Sequence, residues 1–226
     1  MPIAATRVYS SLAPVQVEII TLDTIMGQGV VIEDDATTGY KVIVNKNPAT
    51  GEVISRVPCT SSTELDAMVE KAVAALPEWT AMETSERIRL LKAGIAALNA
   101  SHAESLPLLI TQEMGKPLAQ AQEEMEGVVD KDSLFEILEQ TLQPKRHENN
   151  LVVRQPIGVV AVLSPWNFPA DELLLLVLPA LGSGNTGEHT AGFLNLRRDQ
   201  CYYLITQHWF SHPIIISHCK TIRSGT

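Results

Sequence analysis

Cysteine is scarce: Cys59, Cys201 and Cys219 are the only three in 226 residues, and no two form a Cys-x-x-Cys pair. An odd number without such spacing cannot complete a disulfide framework, so the chain reads as a reduced, intracellular protein. Positive charge is also short. Lys+Arg number 17 against 26 Asp+Glu, a net charge of -9 with no basic cluster, which argues against nucleic acid or an anionic membrane surface as a partner. The longest apolar run, Leu173 to Leu181, is about half the ~20 residues a membrane-spanning helix needs. Met1 to Ile20 carries one basic residue, Arg7, and no unbroken apolar stretch, so no secretory leader is expected and the chain reads as soluble and cytoplasmic. The same stretch is free of acid until Glu18, which leaves mitochondrial or plastid targeting open. What is present, 45% hydrophobic and 19% charged residues, suffices to bury a core.

Along the chain, Lys41-Val42-Ile43-Val44 and Val53-Ile54 flank the turn residues Asn47-Pro48-Ala49-Thr50-Gly51, the pattern of strand, turn and strand. Ser61-x-x-Glu64 forms a capping box. Leu65, Met68, Val69, Ala72, Val73 and Leu76 then recur at helical spacing, with Pro77 expected to end the helix. A second helix is expected from Thr84 to Asn99, with Ile88, Leu91, Ile95 and Leu98 inward and Arg87, Arg89 and Lys92 elsewhere. Ser101-x-x-Glu104 is expected to cap a third helix, which Pro107 would break or bend and Gly115 would close. Pro117 suits the start of a fourth, running to Gln140 with Gln120, Gln122, Glu123, Glu124 and Glu126 as a polar face.

Beyond the linker-like Gln143 to Asn150, strand patterns return at Leu151 to Val153 and Gly158 to Leu163. The second is apolar on both faces, as a central parallel strand is. A helix pattern over Asp171 to Leu178 completes the first half of a βαβ unit. In open α/β sheets ligands sit past the carboxyl ends of strands, and Ser164 to Phe168 hold that position. Pro169 is expected as the first helical residue, which would hold Asn167 on a stiff corner. Its carboxamide could donate to a developing oxyanion. Alternatively, it bonds local backbone groups at the helix start.

From Asn47 to Thr186 the chain resembles the aldehyde dehydrogenase superfamily. The matching segments follow the family's order: Asn47 to Ile54, Thr111-Gln112-Glu113-Met114-Gly115-Lys116-Pro117, Pro165-Trp166-Asn167-Phe168-Pro169, and Pro179-Ala180-Leu181 with Gly184-Asn185-Thr186. The resemblance implies an α/β class: an incomplete aldehyde-dehydrogenase-like fold whose helical amino-terminal half leads into the first strand-helix unit of a Rossmann-like cofactor domain. It implies an aldehyde substrate, NAD or NADP as cofactor, and oxidation to a carboxylic acid through a thiohemiacetal. Asn167 would stabilise the oxyanion, and Leu163, Ser164, Pro165 and Trp166 would line the nicotinamide side. The segment Gln143 to Val153 resembles the strands through which family members associate, implying a homo-oligomer or association with a full-length homologue. The expected division is an extension over 1–40, a partial cofactor-binding domain over 41–186 and an unmatched tail over 187–226.

The tail departs from the family. Thr190 stands where the ribose-binding Lys is expected, and the family's second glycine-containing loop, general-base Glu and nucleophilic Cys find no match. Cys59 lacks a nearby His or Glu in sequence and reads as a packing residue. His208, His212, His218, Cys201 and Cys219 are zinc-ligand types, but their spacing fits no ligand pattern, and no metal is expected. A frameshift, truncation or unspliced intron would account for the change after Thr186. The resulting expectation is a catalytically inactive chain, or a non-catalytic fragment acting through full-length relatives.

A buried strand such as Val159 to Leu163 needs neighbours and covering helices that the family draws from further sequence. Apolar surface left wet costs ~25 cal/mol per Å2, against a typical domain stability of ~5–15 kcal/mol. The chain alone should therefore be marginally stable or aggregate. Sedimentation and thermal unfolding test this, and a soluble monomer with a cooperative transition contradicts it.

Overall fold

The computed structural model describes residues 31–36, 39, 41–191 and 216–218. Strands β1 (Val31–Asp34), β2 (Lys41–Lys46) and β3 (Val53–Pro58) form an antiparallel sheet in that order. The Asn47 turn joins β2 to β3 as its residues require: Gly51 N donates to Asn47 O at 2.8 Å, Ala49 N donates to Asn47 Oδ1 at 2.9 Å, and Gly51 takes φ 74°. Strand β1 begins within the stretch expected as an extension and pairs with β2 from Val31↔Val44 to Asp34↔Lys41.

Six helices follow among the described residues: α1 (Ser62–Ala81), α2 (Thr84–His102), α3 (Ser105–Met114), α4 (Leu118–Val129), α5 (Asp132–Leu142) and α6 (Asp171–Gly182). The Ser61 capping box forms as expected, with Glu64 N on Ser61 Oγ and Ser61 N on the Glu64 carboxylate. Pro77 does not end α1. The helix continues through it because Trp79, 2% exposed, is buried and its Nε1 donates to Leu181 O at 2.9 Å, a tertiary hold that outweighs proline's local cost of ~3 kcal/mol. Arg87 is likewise not on the polar side. It is buried, donating to Gly182 O at 3.0 Å and to Met82 O, and burial pushes its guanidinium below the usual range while Glu83 partly counteracts.

The Ser101 cap does not form either. Ser101 lies within α2, and α3 starts after Glu104 without a side-chain cap. Pro107 falls in the first turn of α3, where no intrahelical donor is lost, so the helix neither breaks nor bends there on its account. The expected long fourth helix is two, interrupted at Asp130 and Lys131, where Lys131 is buried and reaches Asp171 of α6. Glu124 leaves the polar face for the interior, since it meets Lys116 and the start of α6 there.

Residues 143–150 are not simply a linker: β4 (Lys145–His147) and β5 (Asn150–Val152) form an exposed hairpin, turning through Glu148 at φ 50°. Strands β6 (Val159–Ser164), β7 (Thr186–Ala191) and β8 (Ile216–His218) form a parallel sheet in the order β6-β7-β8. Among the described strands of this sheet β7 is the middle one and β6 pairs on one edge, where β6 was expected to be central, and Ala161 on β6 is exposed. Strand β7 runs past the expected boundary at Thr186. The tail residues Cys201, His208, His212 and Cys219 lie outside the described residues, as does the side chain of His218.

One apolar core unites Trp79 of α1, Leu91 and Ile95 of α2, Met125 of α4, Phe135 of α5, Val162 of β6 and Leu173 with Leu178 of α6. Burying each such side chain contributes ~1.5–3 kcal/mol. The β1–β3 sheet joins this body at α3, where Asn45 Nδ2 donates to Glu113 Oε1 at 3.0 Å and Gly115 meets Pro48. Gly115 closes α3 with φ 79°, and an added Cβ would lie 3.0 Å from Pro48 Cγ. Gly115→Ala should therefore cost about 1–2 kcal/mol through left-handed strain and crowding together; a urea titration followed by circular dichroism checks this, with an unchanged midpoint against it.

Candidate functional site at the β6–α6 junction

The order β6, loop, α6, β7 with β6 parallel to β7 is a βαβ crossover. Its far end is pinned to the helical layer. Trp79 and Arg87 hold the last carbonyls of α6, Thr80 Oγ1 donates to Gly184 O at 3.0 Å, and Thr186 Oγ1 donates to Ala72 O at 2.8 Å. Asn185 Oδ1 accepts from Ile157 N at 2.7 Å and Gly158 N at 3.1 Å, which aligns the starts of β6 and β7.

At the near end, Leu163 and Ser164 close β6, and Pro165, Trp166, Asn167 and Phe168 follow as four exposed residues. All the residues expected at the site thus lie on one segment at the carboxyl end of a parallel strand. Among the described residues the Asn167 side chain has no hydrogen-bond partner. Pro169 is buried and precedes the N-cap Ala170, so it is not the first helical residue. The turn is tightened instead by Glu172 N donating to Phe168 O at 3.1 Å.

The start of α6 carries Asp171 and Glu172, whose charge suits the positive end of a helix. Asp171 also pairs with Lys131. Sequence reasoning missed Lys116 and Glu124, both buried beside this loop. Lys116 Nζ lies 2.5 Å from Glu124 Oε2 and 3.8 Å from the centre of the Phe168 ring, while Glu124 Oε1 accepts from Ala170 N at 2.7 Å and Asp171 N at 3.2 Å. The signal that could have found Lys116 is its place in the Glu-x-Gly-Lys-Pro segment; Glu124 has none in sequence.

A nicotinamide group needs a wall of uncharged side chains with spare hydrogen-bonding capacity. Pro165, Trp166 and Asn167 supply uncharged exposed groups, and Ser164 Oγ is buried with no hydrogen-bond partner among the described residues. Cys59, by contrast, is half-buried after β3 and its backbone N donates to Lys41 O at 2.7 Å. No cluster of His, Cys, Asp and Glu suited to a metal occurs among the described residues, and no described helix is long and apolar enough to cross a membrane.

An unsatisfied buried hydroxyl costs ~1–3 kcal/mol. Ser164→Ala should thus leave the stability of the chain unchanged or raise it by up to ~1 kcal/mol. A loss above that in denaturant unfolding would show that the hydroxyl has a protein partner.

Residues 35–187, more than half of the chain, match the model of the aldehyde dehydrogenase family. The glutarate-semialdehyde dehydrogenase of Pseudomonas putida is 37% identical over 158 residues, covering 67% of this chain and 32% of that protein. The NADP(+) succinate-semialdehyde dehydrogenase of Escherichia coli is 35% identical over the same length. The crystal structure of an aldehyde dehydrogenase from Brucella melitensis biovar abortus 2308 superposes with a TM-score of 0.70 at 26% identity, covering 89% of this chain and 44% of that one. The chain spans about a third of the length of the curated relatives it matches. With its ordered motifs, its crossover and these likenesses together, the chain belongs to the aldehyde dehydrogenase family.

Proposed function

We propose that residues 41–186 are the amino-terminal part of the cofactor-binding domain of an NAD(P)-dependent aldehyde dehydrogenase, which oxidises an aldehyde to a carboxylic acid through a thiohemiacetal. One observation carries this reading: Asn167 stands exposed just past the carboxyl end of a parallel strand, with no hydrogen-bond partner for its amide among the described residues. The dinucleotide, when bound, accepts hydride. The chain's own residues orient and stabilise. Leu163, Ser164, Pro165 and Trp166 line the nicotinamide side, Pro165 and Trp166 through exposed side chains. Asn167 donates its side-chain N–H to the carbonyl oxygen as negative charge develops there. A neutral amide suits this because it adds no titrating group and needs no reorganisation as the charge appears.

The names of the relatives make ω-carboxylated aldehydes, succinate and glutarate semialdehydes, the first substrates to test. On this reading the 226-residue chain alone is silent, because none of its cysteines or glutamates takes the family's nucleophile or general-base setting. The exposed apolar residues Leu151, Val152 and Val153 on and after β5 favour a second role, association with another copy or a full-length homologue through residues 143–153.

Two measurements test the proposal. The chain alone should give no reduced-nicotinamide absorbance above a boiled control with either semialdehyde. A chimera in which residues 35–187 replace the matching part of the Escherichia coli enzyme should oxidise succinate semialdehyde, and Asn167→Ala in that chimera should lower kcat about 10^2–10^3-fold with little change in KM. Undiminished turnover in the Asn167→Ala chimera contradicts the assignment.

A further inference from the structure

A buried Lys–Glu pair is weak evidence of stabilisation, because desolvating both charges offsets much of their attraction and an apolar pair of similar volume often serves as well. The side chains of Lys116 and Glu124 are 5% and 0% exposed. What they do that an apolar pair could not is hold backbone and ring at specific points. Glu124 divides its two oxygens: Oε2 takes the Lys116 ammonium, and Oε1 takes the N–H groups of Ala170 and Asp171. The N-cap of α6 has no side-chain cap of its own, so a carboxylate from α4 performs that task from outside the helix. Lys116 then reaches past Glu124 to the face of Phe168, the residue next to Asn167. The loop therefore has a fixed point directly after Asn167 and another at the start of α6.

We propose that Lys116 and Glu124 are positioning residues for the 164–171 junction, setting where the Asn167 amide stands relative to the end of β6. The functional meaning of this rests on the oxyanion role proposed for Asn167; the physical claim about the junction does not. A misplacement of even ~1 Å at a reacting centre is enough to cost about a hundredfold in rate.

Amide hydrogen exchange on the full chain, resolved by residue, tests the claim. Glu124→Leu with Lys116→Met removes both charges together and leaves neither orphaned. Exchange at Ala170 and Asp171 should then accelerate at least about tenfold, while β2 and β3 keep their rates. Glu124→Gln with Lys116→Met retains an acceptor oxygen and should restore most of the protection. Phe168→Leu alters a half-exposed ring outside the buried core cluster and should by itself speed exchange at the same two amides about two- to fivefold. Unchanged exchange in Phe168→Leu, or equal exchange in the Leu and Gln variants, overturns the proposal, and the Phe168→Leu result decides it if the double variants do not fold. In the chimera, the Leu pair should lower kcat with KM held, and the Gln pair should recover it. The two readings fail separately. Turnover insensitive to Asn167→Ala with altered exchange removes the oxyanion role alone, whereas loss on Asn167→Ala with unaltered exchange removes the positioning role alone.

Discussion

Helix α6 begins without a hydroxyl or carboxamide at its N-cap, so the N–H groups of its first turn need an acceptor from elsewhere in the chain. Glu124 supplies it from α4, and because Glu124 is fully buried it must bring Lys116 with it. This pairing fixes where the crossover helix starts, and the start of the helix fixes the loop that leaves β6. At the opposite end Trp79 and Arg87 hold the final carbonyls of α6, so the helix is tied to α1 and α2 by its polar termini as well as by its apolar side. The site follows from these ties.

The helical layer thus acts as a jig for the βαβ unit. Leu173 and Leu178 bury against it and supply most of the attraction, but apolar burial is tolerant of small slides and rotations. The hydrogen bonds that Arg87, Trp79 and Thr80 donate and that Asn185 accepts are not, since each fails when its atoms separate by a fraction of an ångström. The same division recurs at the β1–β3 sheet, whose buried Val42, Ile43 and Val44 pack while Asn45 and Glu113 set the register with α3.

Much of this was legible in sequence where the cause is local. The Asn47 to Gly51 turn and the Ser61 capping box are decided within a few residues, and both form as read. Gly115 likewise announces the end of α3. Pro77, Arg87 and Glu124 misled for one shared reason: their fate is decided by partners far along the chain, Leu181 for the turn beyond Pro77, Gly182 for Arg87, and Ala170 for Glu124. A charged residue at a helical position reads as solvent-facing unless its distant partner is known. Asn167 is visible as a loop residue after a strand, but the oxyanion role proposed for it rests on the family likeness rather than on spacing.

The central claim is that the crossover and the helical layer form one body because polar anchors grip both ends of α6. Native-state hydrogen exchange across a denaturant series measures this directly. Amides of β6 and α6 should open at the same free energy, small as it is for the chain alone, as those of α2 and α4. If β6 and α6 open together at a distinctly lower free energy while α2 and α4 stay protected, the anchors do not unite the two parts and the account is wrong.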